Sequence, residues 1–142
     1  MDDLDRRLLR LLREDADRPL KALAAAVGLS TSSVRDRIVR LKASGVIRRV
    51  TVEVVLPGEV GAVLFVRLVR TPDLAAVRDI TAFDEVVRCY SLSGETDLFV
   101  ELVGPDTASV NSTRDRIADL PGVAAVVTAL ILRRDRDGGV LA

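Results

Sequence analysis

The chain has 142 residues, 49% hydrophobic and 30% charged, enough apolar side chain for one ordinary domain or two small ones and too much for a disordered chain. With no histidine and a single cysteine, Cys89, the sequence excludes an imidazole base, an intrachain disulfide and a multi-cysteine zinc site. The formal net charge is zero, yet residues 1–50 carry 12 basic against 7 acidic side chains and residues 51–142 carry 9 against 14, which points to a basic module for a polyanion joined to a module with another task.

The opening Met1-Asp2-Asp3-Leu4-Asp5 is acidic where a secretory leader needs positive charge, so a cytoplasmic protein is expected, as the lone cysteine also suggests. Leu4, Leu8, Leu11 and Leu12 then recur at helical spacing, with Arg6, Arg7, Arg10 and Arg13 on the solvated side. Asp2 or Asp3 caps this first helix, and Asp15-Ala16-Asp17-Arg18-Pro19 ends it. Leu20, Leu23, Ala24 and Val27 form a second short apolar stripe that stops at Gly28. Ser30 is placed to cap a third helix with Val34, Ile38 and Leu41 inward, and Gly45 breaks it. Three short helices with a tight Gly28-Leu29-Ser30 turn between the last two are a helix-turn-helix arrangement, and Val46-Ile47-Arg48-Arg49-Val50 alternates like a small strand or wing.

At 100° per residue the third helix turns Ser32, Asp36 and Arg40 outward, with Ser33, Arg35 and Arg37 on the flanks. Small hydroxyls at a helix N-terminus followed by arginines suit a major groove, where arginine holds phosphates or the O6/N7 edge of guanine. The candidate DNA contacts are therefore Ser32, Ser33, Arg35, Asp36, Arg37, Arg40, Arg48 and Arg49. Asp36 either accepts from cytosine N4 or pairs with Arg40 one turn on. Val39 also faces outward, where it meets a thymine methyl or nothing.

Thr51–Val60, with Pro57-Gly58, reads as a strand-like hinge. Ala62–Val69 carries one charge in eight residues and is expected to be a strand buried on much of both faces. Thr71-Pro72-Asp73 opens a helix with Leu74, Val77 and Ile80 inward. Asp84–Leu92 is β-rich, Ser93-Gly94-Glu95-Thr96 is a turn, and the next strand alternates Leu98, Val100 and Leu102 against Phe99 and Glu101. Gly104-Pro105-Asp106 starts a helix with Val110, Ile117 and Leu120, and Val123–Leu132 is a last strand too short to cross a bilayer, so no membrane partner is expected. The order β-α-β-β-α-β is the ferredoxin-like motif, so the fold class is α+β: a winged helix-turn-helix domain over 1–50, a hinge over 51–60, a ferredoxin-like oligomerisation domain over 61–134, to which the family resemblance given below adds an effector role, and a tail over 135–142. Helices on one sheet face leave the other to be covered, and self-association into a homodimer is the simplest cover. A dimer also suits two successive major grooves about 34 Å apart on double-stranded DNA.

These motifs resemble the Lrp/AsnC family of transcriptional regulators. The resemblance is carried by Leu4-Asp5-Arg6-Arg7-Leu8-Leu9, by Leu23-Ala24-Ala25-Ala26-Val27-Gly28-Leu29-Ser30, and by Val34, Arg37-Ile38, Arg40-Leu41 and Gly45-Val46-Ile47. It continues through Cys89-Tyr90-Ser91-Leu92-Ser93-Gly94-Glu95-Thr96-Asp97, which holds the family's Ser-Gly-x-x-Asp turn, and Leu120-Pro121-Gly122-Val123. The resemblance implies DNA-binding dimers that assemble further, commonly to octamers, and a second domain that senses a small-molecule effector, usually an amino acid, in a pocket between dimers. It maps that pocket onto Ser93, Gly94, Glu95, Thr96 and Asp97, with Ala129, Leu130 and Ile131 of the last strand beside them. Asp97 can meet an ammonium while backbone N–H groups around Gly94 cradle a carboxylate; the plainer alternative is that Gly94 only turns the chain and Asp97 only caps the strand. No cofactor or metal is implied.

Two rival readings differ in class. Sirohaem decarboxylases resemble the same two-module layout, but their catalysis is associated with pocket histidines, which this chain lacks, and Cys89 has no histidine partner; the chain is read as not an enzyme. An architectural protein that wraps DNA with little sequence preference is the other rival, since the +5 of residues 1–50 multiplies with every subunit.

Overall fold

The structure, a computed structural model, describes residues 1–133 except 53 and 55; the expected tail over 135–142 lies outside the described residues. The chain divides into two compact units between residues 53 and 54. Among the described residues no helix is long and apolar enough to cross a membrane.

The first unit holds α1 (Asp3–Glu14), α2 (Leu20–Val27) and α3 (Thr31–Ala43). Asp2 caps α1 in a reciprocal box with Asp5, each carboxylate accepting the other's backbone N–H at 2.8 and 3.0 Å. Gly28 ends α2 in the left-handed region at φ 70°, where a side chain would be strained, and Leu29 N–H donates back to the Ala24 carbonyl at 3.0 Å. Ser30 then caps α3 by accepting from Ser33 N–H at 3.1 Å. Leu8, Leu23, Ala24, Val27 and Val34 form the core, with Leu4, Leu11, Leu12, Leu20, Leu29 and Ile38 packed around it. The expected strand or wing at Val46–Val50 is corrected: no strand forms there among the described residues, and Val46 and Val50 are exposed. A strand needs a neighbour to satisfy its backbone, and none of the described residues of this unit supplies one. The hinge likewise contains no described strand residue before Val60; Pro57-Gly58 makes a turn closed by Glu59 N–H on the Leu56 carbonyl at 3.2 Å.

The second unit runs β1 (Val60–Leu68), α4 (Leu74–Thr81), β2 (Val86–Ser91), β3 (Leu98–Gly104), α5 (Thr107–Ala118) and β4 (Val123–Leu130). The strands form one antiparallel sheet in the order β2-β3-β1-β4, as the β-α-β-β-α-β reading expects. Asp73 and Asp106 cap the two helices. Ala62, Leu64, Val66 and Leu68 from β1 and Leu98, Val100 and Leu102 from β3 meet Ala76, Ile80, Val110 and Ile117 in the core. The start of β4 approaches α4 so closely that a Cβ on Gly122 would lie 2.6 Å from that of Ala76.

Three expectations are corrected here. β1 is buried on one face only: Phe65 and Arg67 are exposed, because both helices lie against the other face. Leu74 is 80% exposed, and the inward stripe of α4 is Ala76, Val77 and Ile80. The last strand stops at Leu130, and Leu132 is exposed.

Candidate functional site

On α3, Ser32, Arg35, Asp36, Val39 and Arg40 are exposed, and Ser33 and Arg37 are half-buried. The Ser32 and Ser33 hydroxyls both hydrogen-bond to Ser30 Oγ, at 2.9 and 2.8 Å, so three hydroxyls cluster at the helix N-terminus. Arg35, Asp36, Arg40, Arg48 and Arg49 are solvent-facing. Arg37 is engaged elsewhere: its Nη1 donates to Asp2 at 2.6 Å and to the buried Asp5 at 2.7 Å, tying the middle of α3 to the start of α1. The pairing of Asp36 with Arg40 is also corrected, because Arg40 Nη2 lies 3.7 Å from Asp5 instead. Three groups thus converge on one carboxylate. Hydrogen bonds from the Arg37 guanidinium and the Asp5 backbone hold the Asp2 carboxyl below the usual carboxylate range, and Asp5 is lowered by the Asp2 backbone and Arg37.

In the second unit, strand register assembles the open sheet face. Tyr90 pairs with Phe99, Phe99 with Phe65, and Phe65 with Val127, so an aromatic row crosses three strands and ends on Val127 of the fourth. Phe65 and Phe99 meet edge to face at 5.9 Å, and Tyr90 lies 6.0 Å from Phe99. The next row holds Arg88, Glu101, Val63 and Ala129, with Arg88 and Glu101 paired at 2.7 Å. On the other side of the aromatic row, Arg67 stands opposite Ala125.

The turn after β2 meets the face here. A hollow opens between the sheet and the turn, lined by Phe65, Arg67, Glu95, Thr96, Ala125 and Val127. Glu95 and Thr96 are thus brought to it, whereas Ser93, Gly94 and Asp97 are not among its lining residues. Gly94 takes φ 113°, the conformation that a glycine turn requires. Asp97 is a brace: its carboxylate accepts from Leu68 N–H at 2.8 Å and from the Thr71 hydroxyl. Those hydrogen bonds, Thr71 first, and the Arg67 charge hold its carboxyl below the usual range. Ala129, Leu130 and Ile131 lie toward the far end of the sheet, with Leu130 opposite Ala62 and Ile131 N–H bonded to the Gly61 carbonyl. Five residues of strand, about 17 Å, separate Arg67 from Ala62, so the turn and these residues do not share the hollow.

Sequence reasoning missed Arg67, Phe65, Ala125 and Val127. The available signal was that Arg67 is the single charge in Val60–Leu68. Cys89 is half-buried beside the core, and burial pushes its thiol up, the direction that disfavours the thiolate. Among the described residues no group of three histidine, cysteine or carboxylate side chains could hold a metal ion.

Residues 1–42 match the AsnC-type helix-turn-helix domain and residues 61–140 the Lrp/AsnC ligand binding domain. The chain belongs to the Lrp/AsnC family. It is a DNA-binding transcriptional regulator with a ligand-binding domain of that type. The regulator is 30% identical to the HTH-type transcriptional regulator LysM of Sulfurisphaera tokodaii over 94% of this chain and 96% of that one. Its structure is similar to that of an AsnC family transcriptional regulator from Agrobacterium tumefaciens, with TM-score 0.81 and 29% identity over 100% and 97% of the two chains. It shares its fold with a transcriptional regulator of Neisseria meningitidis in complex with L-Met, with TM-score 0.86 and 22% identity over 100% and 96% of the two chains.

Proposed function

We propose that this regulator binds operator DNA as a homodimer in the cytoplasm and that an α-amino acid held beside the turn at 93–97 modulates that binding. The observation that carries the effector reading is the pair of opposite charges in one apolar hollow. Arg67 and Glu95 both line it, and the ion pairs found among the described residues do not join them. An amino acid zwitterion fits between such groups, its carboxylate toward Arg67, its ammonium toward Glu95, and its side chain along Phe65, Ala125 and Val127. The Neisseria regulator of the same fold is in complex with L-Met, and the charges of this hollow suit that class of ligand. Ala129, Leu130 and Ile131 would join an effector site only from another copy, in assemblies up to an octamer.

For DNA, we assign base reading to Ser32, Ser33, Asp36 and the arginines Arg35 and Arg40, with phosphate contacts from Arg48 and Arg49. Arg37 serves by fixing α3 on α1. A second copy covers the aromatic row on the open sheet face, since three of the four aromatic residues of the chain lie there at least partly open to solvent. No catalytic constellation enters this reading.

The test is a titration of the purified chain against the duplex upstream of its own gene, at two salt concentrations, with and without pooled amino acids. Salt-sensitive binding altered by the pool is expected, and Arg67→Gln should abolish the response while sparing DNA affinity. Binding that ignores the pool would overturn the effector assignment. Long phased protection in a footprint, in place of a site of about 15–25 bp, would favour DNA wrapping.

A further inference from the structure

The outward face of α3 is polar except at Val39 and the small Ala43 at its C-terminal end. Viewed end-on, the exposed arc runs Arg35, Val39, Ser32, Ala43, Asp36 and Arg40, opposite the inward-facing Val34, Ile38 and Leu41. Val39 is 59% exposed and is not among the side chains packed on the core of its unit. Helix formation does not call for it either, because a β-branched residue is a poorer helix former than alanine or the straight-chain residues. Among the described residues the core of the unit therefore does not use this side chain, yet it stands among the groups best placed to meet DNA.

The chemistry of the opposing surface is restricted. In the major groove every base edge presents donors or acceptors, and the apolar element is the C5-methyl of thymine. Arg35 and Asp36, one turn before Val39 at i−4 and i−3, lie on either side of it on the helix surface, so a phosphate or guanine contact by one and an amino-group contact by the other would hold a branched apolar side chain against the base edges between them. We propose that Val39 is a specificity-determining residue that packs on the C5-methyl of a thymine in each half-site. This inference rests on the reading that α3 enters the major groove. It goes beyond that reading by selecting thymine over cytosine at one position without any hydrogen bond.

Deoxyuridine lacks only that methyl, which makes it the probe. A duplex is first enriched from a random pool by the full-length protein, and each thymine is then replaced in turn by deoxyuridine. Expected is one thymine per half-site where the exchange weakens binding about fourfold, the worth of roughly one buried methyl group. Val39→Ala should bind the thymine and deoxyuridine duplexes alike at that position, while Val39→Thr, which keeps one methyl, retains part of the difference. Circular dichroism should show unchanged helicity, since alanine suits an exposed helix position. The proposal is overturned if no exchange weakens the parent protein, or if the penalty persists undiminished in Val39→Ala. A change in sedimentation of Val39→Ala with the penalty intact would also overturn it, assigning the side chain to a protein contact. Failure of the pool to yield any common sequence would instead overturn sequence-specific reading itself, and this inference with it.

Discussion

Arg37 shows how far a residue's role can sit from its apparent one. Its place on the recognition helix suggests DNA, but its guanidinium is held by Asp2 and Asp5, 35 and 32 residues earlier. Caps such as Ser30 and Gly28 are legible because their partners are within a few residues; the Arg37 contact is not, because only the packed unit creates it. The same contact sets an acid limit. Asp2 and Asp5 have folded pKa values below the ordinary 3.8, so the unfolded chain takes up their protons first. Their contribution to stability is complete above the ordinary carboxylate range and is lost as pH falls through the lowered values. Melting temperatures recorded from neutral pH downward should therefore hold until about pH 4 and then fall. Arg37→Met should start lower and fall less steeply in that acid window; an identical slope would remove the ion pair from the account.

Among the elements, the helices and the strand order were readable because capping residues and apolar spacing are local signals. The face of β1 was not. Val63 and Phe65 on the open side are as apolar as Leu64 and Val66 on the core side, so the alternation that would mark one buried face is erased. The α4 stripe misled for a different reason: Leu74 sits in the first helical turn, beyond the edge of the sheet-facing side, and Ala76 occupies the inward place. Size is a poor guide when the close approach at Gly122 demands a small residue. Leu64→Ala should cost about 2–5 kcal/mol in chemical denaturation, whereas Leu74→Ala should lie within about 0.5 kcal/mol of the parent. Similar losses for both would mean that Leu74 is covered in the protein in solution.

For the whole molecule, the erased alternation on β1 is itself informative. A sheet whose outer face carries Tyr90, Phe99, Phe65 and Val127 in one row is built to be covered. Phe65→Asp should weaken self-association at least about tenfold, as loss of an aromatic anchor does at other interfaces, and sedimentation equilibrium measures it directly. Unchanged association would place the subunit contact elsewhere. The hollow proposed as the effector site was half legible at this scale: the turn motif led to Glu95 and Thr96, but Arg67 reaches the same hollow through strand register, which no linear motif encodes.

The brace at Asp97 divides the turn into a fixed part and a free part. The hydrogen bonds from Leu68 and Thr71 fall on position 97, while positions 95 and 96 only line the hollow. Two codons can therefore be rewritten without disturbing the scaffold that presents them. On the proposed effector reading, such an arrangement would let effector preference drift during descent while the fold stays constant, and it would make positions 95 and 96 the place to begin retuning this regulator toward a chosen metabolite.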